Sequence, residues 1–169
     1  LIIDDVNGKI IIRDGVATMD NVRMDMLKGS MILNGEYHAK DPTAPLANFS
    51  MDIQNFDIPS AFQSFSMLES FAPHLKNVNG RVSTIFSLST ILDSTMEPIL
   101  EKVDARGILS CKNIAITDAP TFSMISNLTK NEDIKNPNLK DFLASITVKD
   151  GIVSINPFDT QFSDIKMNM

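Results

Sequence analysis

The residue types that do chemistry are few in this chain, and they lie far apart. His38 and His74 fall in different segments, with no His-x-x-x-His or other metal-ligand spacing around them. Solvent-facing or rim positions suit both. The aspartates Asp4, Asp5, Asp14, Asp20 and Asp150 stand at turn-like text, where Asp commonly stabilises the turn itself, and they lack the calcium-loop pattern. There is no nucleophile elbow, phosphate loop or dinucleotide fingerprint. Asn48-Phe49-Ser50 and Asn127-Leu128-Thr129 match the glycosylation sequon, a short pattern that chance supplies freely. Cys111 is the single cysteine, so it has no internal disulfide partner; it shares a strand face with Leu109 and reads as a buried structural thiol. No catalytic, cofactor-binding or metal-ligating residue is assigned, and the expectation is a protein that is not an enzyme.

What remains is apolar chemistry. The chain holds ten methionines and ten phenylalanines, but one tyrosine and no tryptophan. Flexible Met beside Phe suits an irregular apolar surface that accepts varied partners, and it equally suits a filled core. Six residues mark the stretch in question. Phe49, Met51 and Ile53 alternate on one strand, and Val82, Phe86 and Leu88 on another, making them the candidates to line a lipid groove.

The elements that would position them are mostly strands. Arg81 to Thr90 places Val82, Thr84, Phe86 and Leu88 on one face against Arg81, Ser83, Ser87 and Ser89, with Ile85 as the exception. That period of two marks a half-buried strand. Asn79-Gly80 opens it, Ile91 to Pro98 turns the chain, and a second strand runs from about Glu101 to Ile116. Upstream, Asp14-Gly15 between two β-prone runs predicts a tight hairpin, because a type I′ turn needs positive φ at both positions. A second turn falls at Lys28-Gly29, and Ser30 to His38 and Ala47 to Gln54 alternate as strands. From Asp57 the period becomes helical: Ile58, Ala61, Phe62, Phe65, Leu68 and Ala72 predict one amphipathic helix, with Pro59 in its first turn and Pro73 ending it. A second helix is expected from Asp118-Ala119-Pro120, carrying Phe122, Ile125 and Leu128, and a short helical turn near Asn138 to Phe142.

Composition sets the bounds. The length of 169 residues fits one domain, and 43% hydrophobic residues are too many for a disordered chain. A net charge of −6 with no basic cluster excludes a phosphate-binding footprint, so no nucleic-acid partner is expected. No apolar run reaches the ~18 residues of a membrane span. The text begins and stops inside strand-like runs, and Ile10 to Met19 aligns with Ile146 to Ile155 at an offset of 136 (151 − 15). That repeat predicts an elongated sheet and a fragment, 1–169, of a longer repeat-containing protein.

Phe71-Ala72-Pro73 before Asn79-Gly80-Arg81, then Leu92-Asp93, Met96-Glu97-Pro98-Ile99-Leu100, Gly107-Ile108-Leu109 and Ile146 to Val153, resemble in order and spacing the C-terminal region of AsmA-like proteins, particularly the Bacteroidetes type. The likeness covers the chain from roughly Lys9 onward. It implies a periplasmic β-groove, held at the inner membrane by an anchor segment absent from this chain, and a part in outer-membrane biogenesis and lipid transport. No cofactor and no catalytic residue come with the resemblance. The partners it admits are a phospholipid or other acyl lipid, and envelope proteins.

The expected fold is therefore mainly β with a few helices (α+β): an elongated, curved antiparallel sheet forming a groove, with amphipathic helices packed on it. Two functions compete. In one, the apolar face binds or conducts lipid; in the other, the same face is filled and the chain is a structural or protein-binding envelope module. A carbohydrate-binding or hydrolytic domain ranks last, for want of surface aromatics.

Overall fold

The computed structural model describes residues 1–66, 68–69, 73–118, 120–162 and 165–168. It holds eleven strands: β1 (Ile3–Arg13), β2 (Val16–Met26), β3 (Gly29–His38), β4 (Leu46–Asp57), β5 (Val78–Ile91), β6 (Asp104–Ile116), β7 (Asn138–Leu139), β8 (Phe142–Lys149), β9 (Ile152–Ile155), β10 (Asp159–Phe162) and β11 (Ile165–Asn168). Among the described residues, the α-helices α1 (Ile58–Ser64) and α2 (Pro120–Thr129) accompany them. All strands join one open antiparallel sheet in the order β1-β2-β3-β4-β5-β6-β7-β10-β11, with β8 paired to β6 and to β9. The first six strands form a meander, each hydrogen-bonded to the next.

Turn chemistry fixes the first hairpin. Asp14 and Gly15 have φ of 51° and 75°, the left-handed pair that a two-residue turn requires. The second turn is made by Leu27 and Lys28, at φ 51° and 62°, and Gly29 is instead the first residue of β3. A Cβ on Gly29 would stand 2.2 Å from the Gln54 carbonyl oxygen, so that glycine serves a close backbone approach. The turn expected at Lys28-Gly29 therefore sits one residue earlier.

Asn-Gly in this chain marks bulges, not hairpins. Asn7-Gly8, Asn34-Gly35 and Asn79-Gly80 all lie within strands, their glycines at φ of 140°, 144° and 141°. On β2, β4 and β6, Asn21, Asn55 and Asn113 adopt φ of 50°, 58° and 52°, where the register slips. Each of these three donates its backbone N–H to a side chain: Asn34 Oδ1 of β3 at 2.8 Å, Ser83 Oγ of β5 at 2.9 Å, and Asp141 Oδ1, in the gap between β7 and β8, at 3.1 Å. An extra residue per strand bends it and tightens its twist. It also keeps apolar residues three apart on one face, as in Met19/Val22, Ile53/Phe56 and Cys111/Ile114.

The helical expectation is corrected in part. α1 stops at Ser64, because Phe65 turns to extended backbone while its N–H still donates to the Ala61 carbonyl. The Ile58 to Ala72 stretch is thus not one helix through Phe65, and Phe71 and Ala72 lie outside the described residues. The start of α1 is capped by Asp57, whose carboxylate accepts the Ser60 backbone N–H at 3.1 Å. Near Asn138 to Phe142 the expected helical turn is instead β7 and the start of β8; the short helical turn lies at Glu132–Ile134.

The repeat recurs as pairing. Arg13↔Val16, Ile10↔Met19 and Ile3↔Met26 in the first hairpin correspond to Lys149↔Ile152, Ile146↔Ile155 and Leu139↔Phe162 at the offset of 136 (139 − 3). Met26↔Gly29 between β2 and β3 likewise corresponds to Phe162↔Ile165 between β10 and β11. The turn of the second hairpin, Asp150-Gly151, repeats the dihedrals at φ 51° and 74°. β7 with β8 thus stands where β1 stands, and β9 with β10 where β2 stands.

Candidate ligand-binding face

Register brings the six candidate residues together. Phe49 pairs with Leu88 and Met51 with Phe86; Ile53 pairs with Thr84, and Val82 with Phe56 beyond the bulge. In an antiparallel pair, directly opposed residues share a face. All six are half-buried. The face extends outward from them through Leu33, which pairs with Met51, Met31 with Ile53, and Gly107 with Phe86. It reaches Ile10 and Met19 on one side, and Ile146 and Ile155 on the other. The result is an apolar row across eight strands, β1 to β6 with β8 and β9.

Three buried clusters lie along this face. One gathers Met26, Leu27 and Phe56, with Ile53, Val82, and Ala61 and Phe65 of the α1 region packed against it. A second holds Ile58, Cys111, Ile114 and Leu139, with Val82, Leu109 and Phe142 around it. The third, at the other end of β5, holds Val103, Ala105 and Val148, against which Phe86, Leu88 and Val153 pack. Met51, Phe49, Leu33 and Met19 belong to none of the three among the described residues, and each stays half-buried. Helix α2 packs on the Glu132–Ile134 turn and leaves Met124 and Leu128 exposed, at 64% and 78%.

The opposite face is mostly polar, with Ile85 and Ile108 paired and exposed on it at 64% and 58%. A shallow open concavity of about 530 Å³ is lined there by Asn34, Asn48, Ser50, Ser87, Ser89 and Arg106, and Phe49 and Leu88 also border it. Small side chains produce it. The Ser89 hydroxyl donates to Asn48 Oδ1 at 2.6 Å across its floor. A second open concavity of about 570 Å³ lies by Leu1, Ile2, Met26, Leu27 and Ser64.

The carboxylates with shifted pKa stand apart from the apolar face. The hydroxyl of Ser60 holds the Asp57 carboxyl below its ordinary value, with Lys28 Nζ 3.2 Å away adding to it. Asp93 is lowered by the Thr95 hydroxyl and by the Glu97 and Thr95 N–H groups, in the turn after β5. Thr43 does the same for Asp41. These are turn and cap carboxylates, as their sequence positions suggest. His38 pairs with Glu36 at 3.0 Å on the polar face. Burial pushes the Cys111 thiol up to about 11, so it is a protonated core group. Among the described residues no cluster of three or more His, Cys, Asp or Glu has metal-binding geometry.

Sequence reasoning missed the contribution of β2 and of β8. Met19 and Val22 share the face only because of the bulge at Asn21, which breaks the period of two. A backbone bulge leaves no signal in the sequence beyond an asparagine able to adopt its conformation. No known family, curated protein or solved structure matches the chain. No described helix is long and apolar enough to cross a membrane.

Proposed function

We propose that this chain is a segment of an AsmA-like envelope protein whose apolar sheet face forms a groove that binds or conducts an acyl lipid. In this reading it works in outer-membrane biogenesis on the periplasmic side, tethered to the inner membrane by an anchor outside this chain, and it binds without catalysing. The observation that carries the reading is the half-buried centre of the face. Met19, Leu33, Phe49 and Met51 sit between the buried clusters with their apolar surface only partly removed from water. Covering such surface releases about 25 cal/mol per Å². An acyl chain is a flexible apolar rod, and a row of Met, Leu and Phe without hydrogen-bonding demands fits it.

Met51→Asp is the test. Met51 faces Leu33 on one side and Phe86 on the other, but lies outside the buried clusters. A carboxylate there keeps access to water, so the fold should persist by circular dichroism. Lipid captured during purification, counted by mass spectrometry, should fall at least tenfold. Phe86→Asp is the less clean variant, because Phe86 also supports the Val103, Ala105 and Val148 cluster. If Met51→Asp unfolds the chain, the face is a closed core and the structural-module reading holds. A folded Met51→Asp variant with lipid capture unchanged also removes the lipid path.

A further inference from the structure

Strand β1 ends the sheet with an unpaired edge, and its side chains are unusually bare. Ile3, Val6, Ile10 and Ile12 are exposed at 45%, 60%, 59% and 78%. A long apolar edge of this kind is a template for pairing with another strand. The internal repeat says which strand.

The counterparts of β1, 136 residues on, are β7 and β8, and both pair with β6. Ile3 corresponds to Leu139, Val6 to Phe142 and Ile12 to Val148. Leu139 is 8% exposed and Val148 6%. Ile12 differs from Val148 chiefly in having no β6 beside it. The polar residues that face β6 recur in β1. Asp104 lies opposite Lys149, whose counterpart is Arg13. The Asn113 N–H donates to Asp141, whose counterpart is Asp5, again an aspartate. Both Arg13 and Asp5 are exposed. The backbone breaks at the same place, since Asp5 is at φ 49° and β7 parts from β8 at Lys140-Asp141.

We infer that the free edge of β1 is a strand-docking surface, and that its occupant is the β6 strand of another unit of this same repeat, aligned antiparallel with Asp104 opposite Arg13 and Asn113 beside Asp5. The pairing continues the β6–β8 interface already present in the fold, by main-chain hydrogen bonds that give affinity and alternate side chains that set register. It does not depend on what occupies the apolar face.

The probe is a labelled peptide of the β6 sequence, Asp104 to Ile116, with Cys111→Ser to prevent oxidation. Fluorescence anisotropy against the intact chain should show saturable binding. Ile12→Lys, at a position 78% exposed and therefore tolerant of change, should weaken it at least tenfold while the melting temperature holds. Arg13→Glu should weaken the same peptide, and a peptide carrying Asp104→Lys should recover the loss on that variant alone. The recovery fixes the register, which a merely sticky edge would not give. Absence of saturable binding overturns the inference, as does binding indifferent to both variants. Self-association through β1 that the peptide cannot compete away overturns it too.

Discussion

At the scale of single residues, the apolar face contains one misfit. Thr84 stands between Ile53 and Leu109 with its hydroxyl buried and without a hydrogen-bond partner. A buried unsatisfied polar group costs ~1–3 kcal/mol. Thr84→Val keeps the shape and the β-branching while removing the orphan, and should stabilise by about 1 kcal/mol, which is roughly 2–4 °C in Tm for a chain of this size. A calorimetric scan showing a lower Tm would mean the hydroxyl is satisfied in solution. Cys111 gives a second prediction. Its folded pKa of about 11 lies above the value of 9.0 for a free thiol, so the unfolded chain loses the proton first. The stability this group contributes is intact below pH 9 and fades as pH rises toward 11. Wild type should therefore lose Tm faster over that range than Cys111→Ala, and its thiol should react with a disulfide reagent at pH 8 only after denaturation.

Among the elements, strands were legible and helices less so. The alternation of Phe49, Met51 and Ile53 against Asn48, Ser50 and Asp52 follows from the two faces of one strand meeting different solvents, and the pairing of β4 with β5 agrees. The six face residues were therefore readable before any geometry. The bulges were not. Asn79-Gly80 carries the same dipeptide as a hairpin turn, and only the partner strand, with Asn113 O 2.9 Å from where a Gly80 Cβ would stand, distinguishes the two uses. The α1 region misled for a related reason. Ile58, Ala61 and Phe65 keep a helical period, yet Phe65 leaves the helix at φ −120° and packs on Met26, Leu27 and Phe56, so tertiary contact outweighs propensity. The cap at its start is local and can be tested alone. Asp57→Ala should cost about 1 kcal/mol. Because the Asp57 pKa is lowered, that contribution is present above about pH 4 and lost as pH falls further. Chemical denaturation of both forms at pH 7 and pH 3 should show the gap closing at pH 3.

For the whole molecule, an open sheet with one apolar face must cover that face or expose it. Buried clusters near both ends of β5 lead to a half-buried centre, and the repeat at 136 residues places β8 and β9 on the same apolar row as β1 and β2. That row is the proposed lipid path. The methionines report on it directly, since Met19, Met24, Met31 and Met51 lie along it while Met124 stands exposed on α2, at 64%. The decisive measurement is a methyl spectrum of the chain labelled with ¹³C at methionine, recorded with vesicle-free, acyl-spin-labelled phospholipid. Selective broadening of Met19, Met31 and Met51, with Met124 sharp, is the predicted result; broadening confined to Met124, or equal at every methyl, would contradict a lipid path along this face.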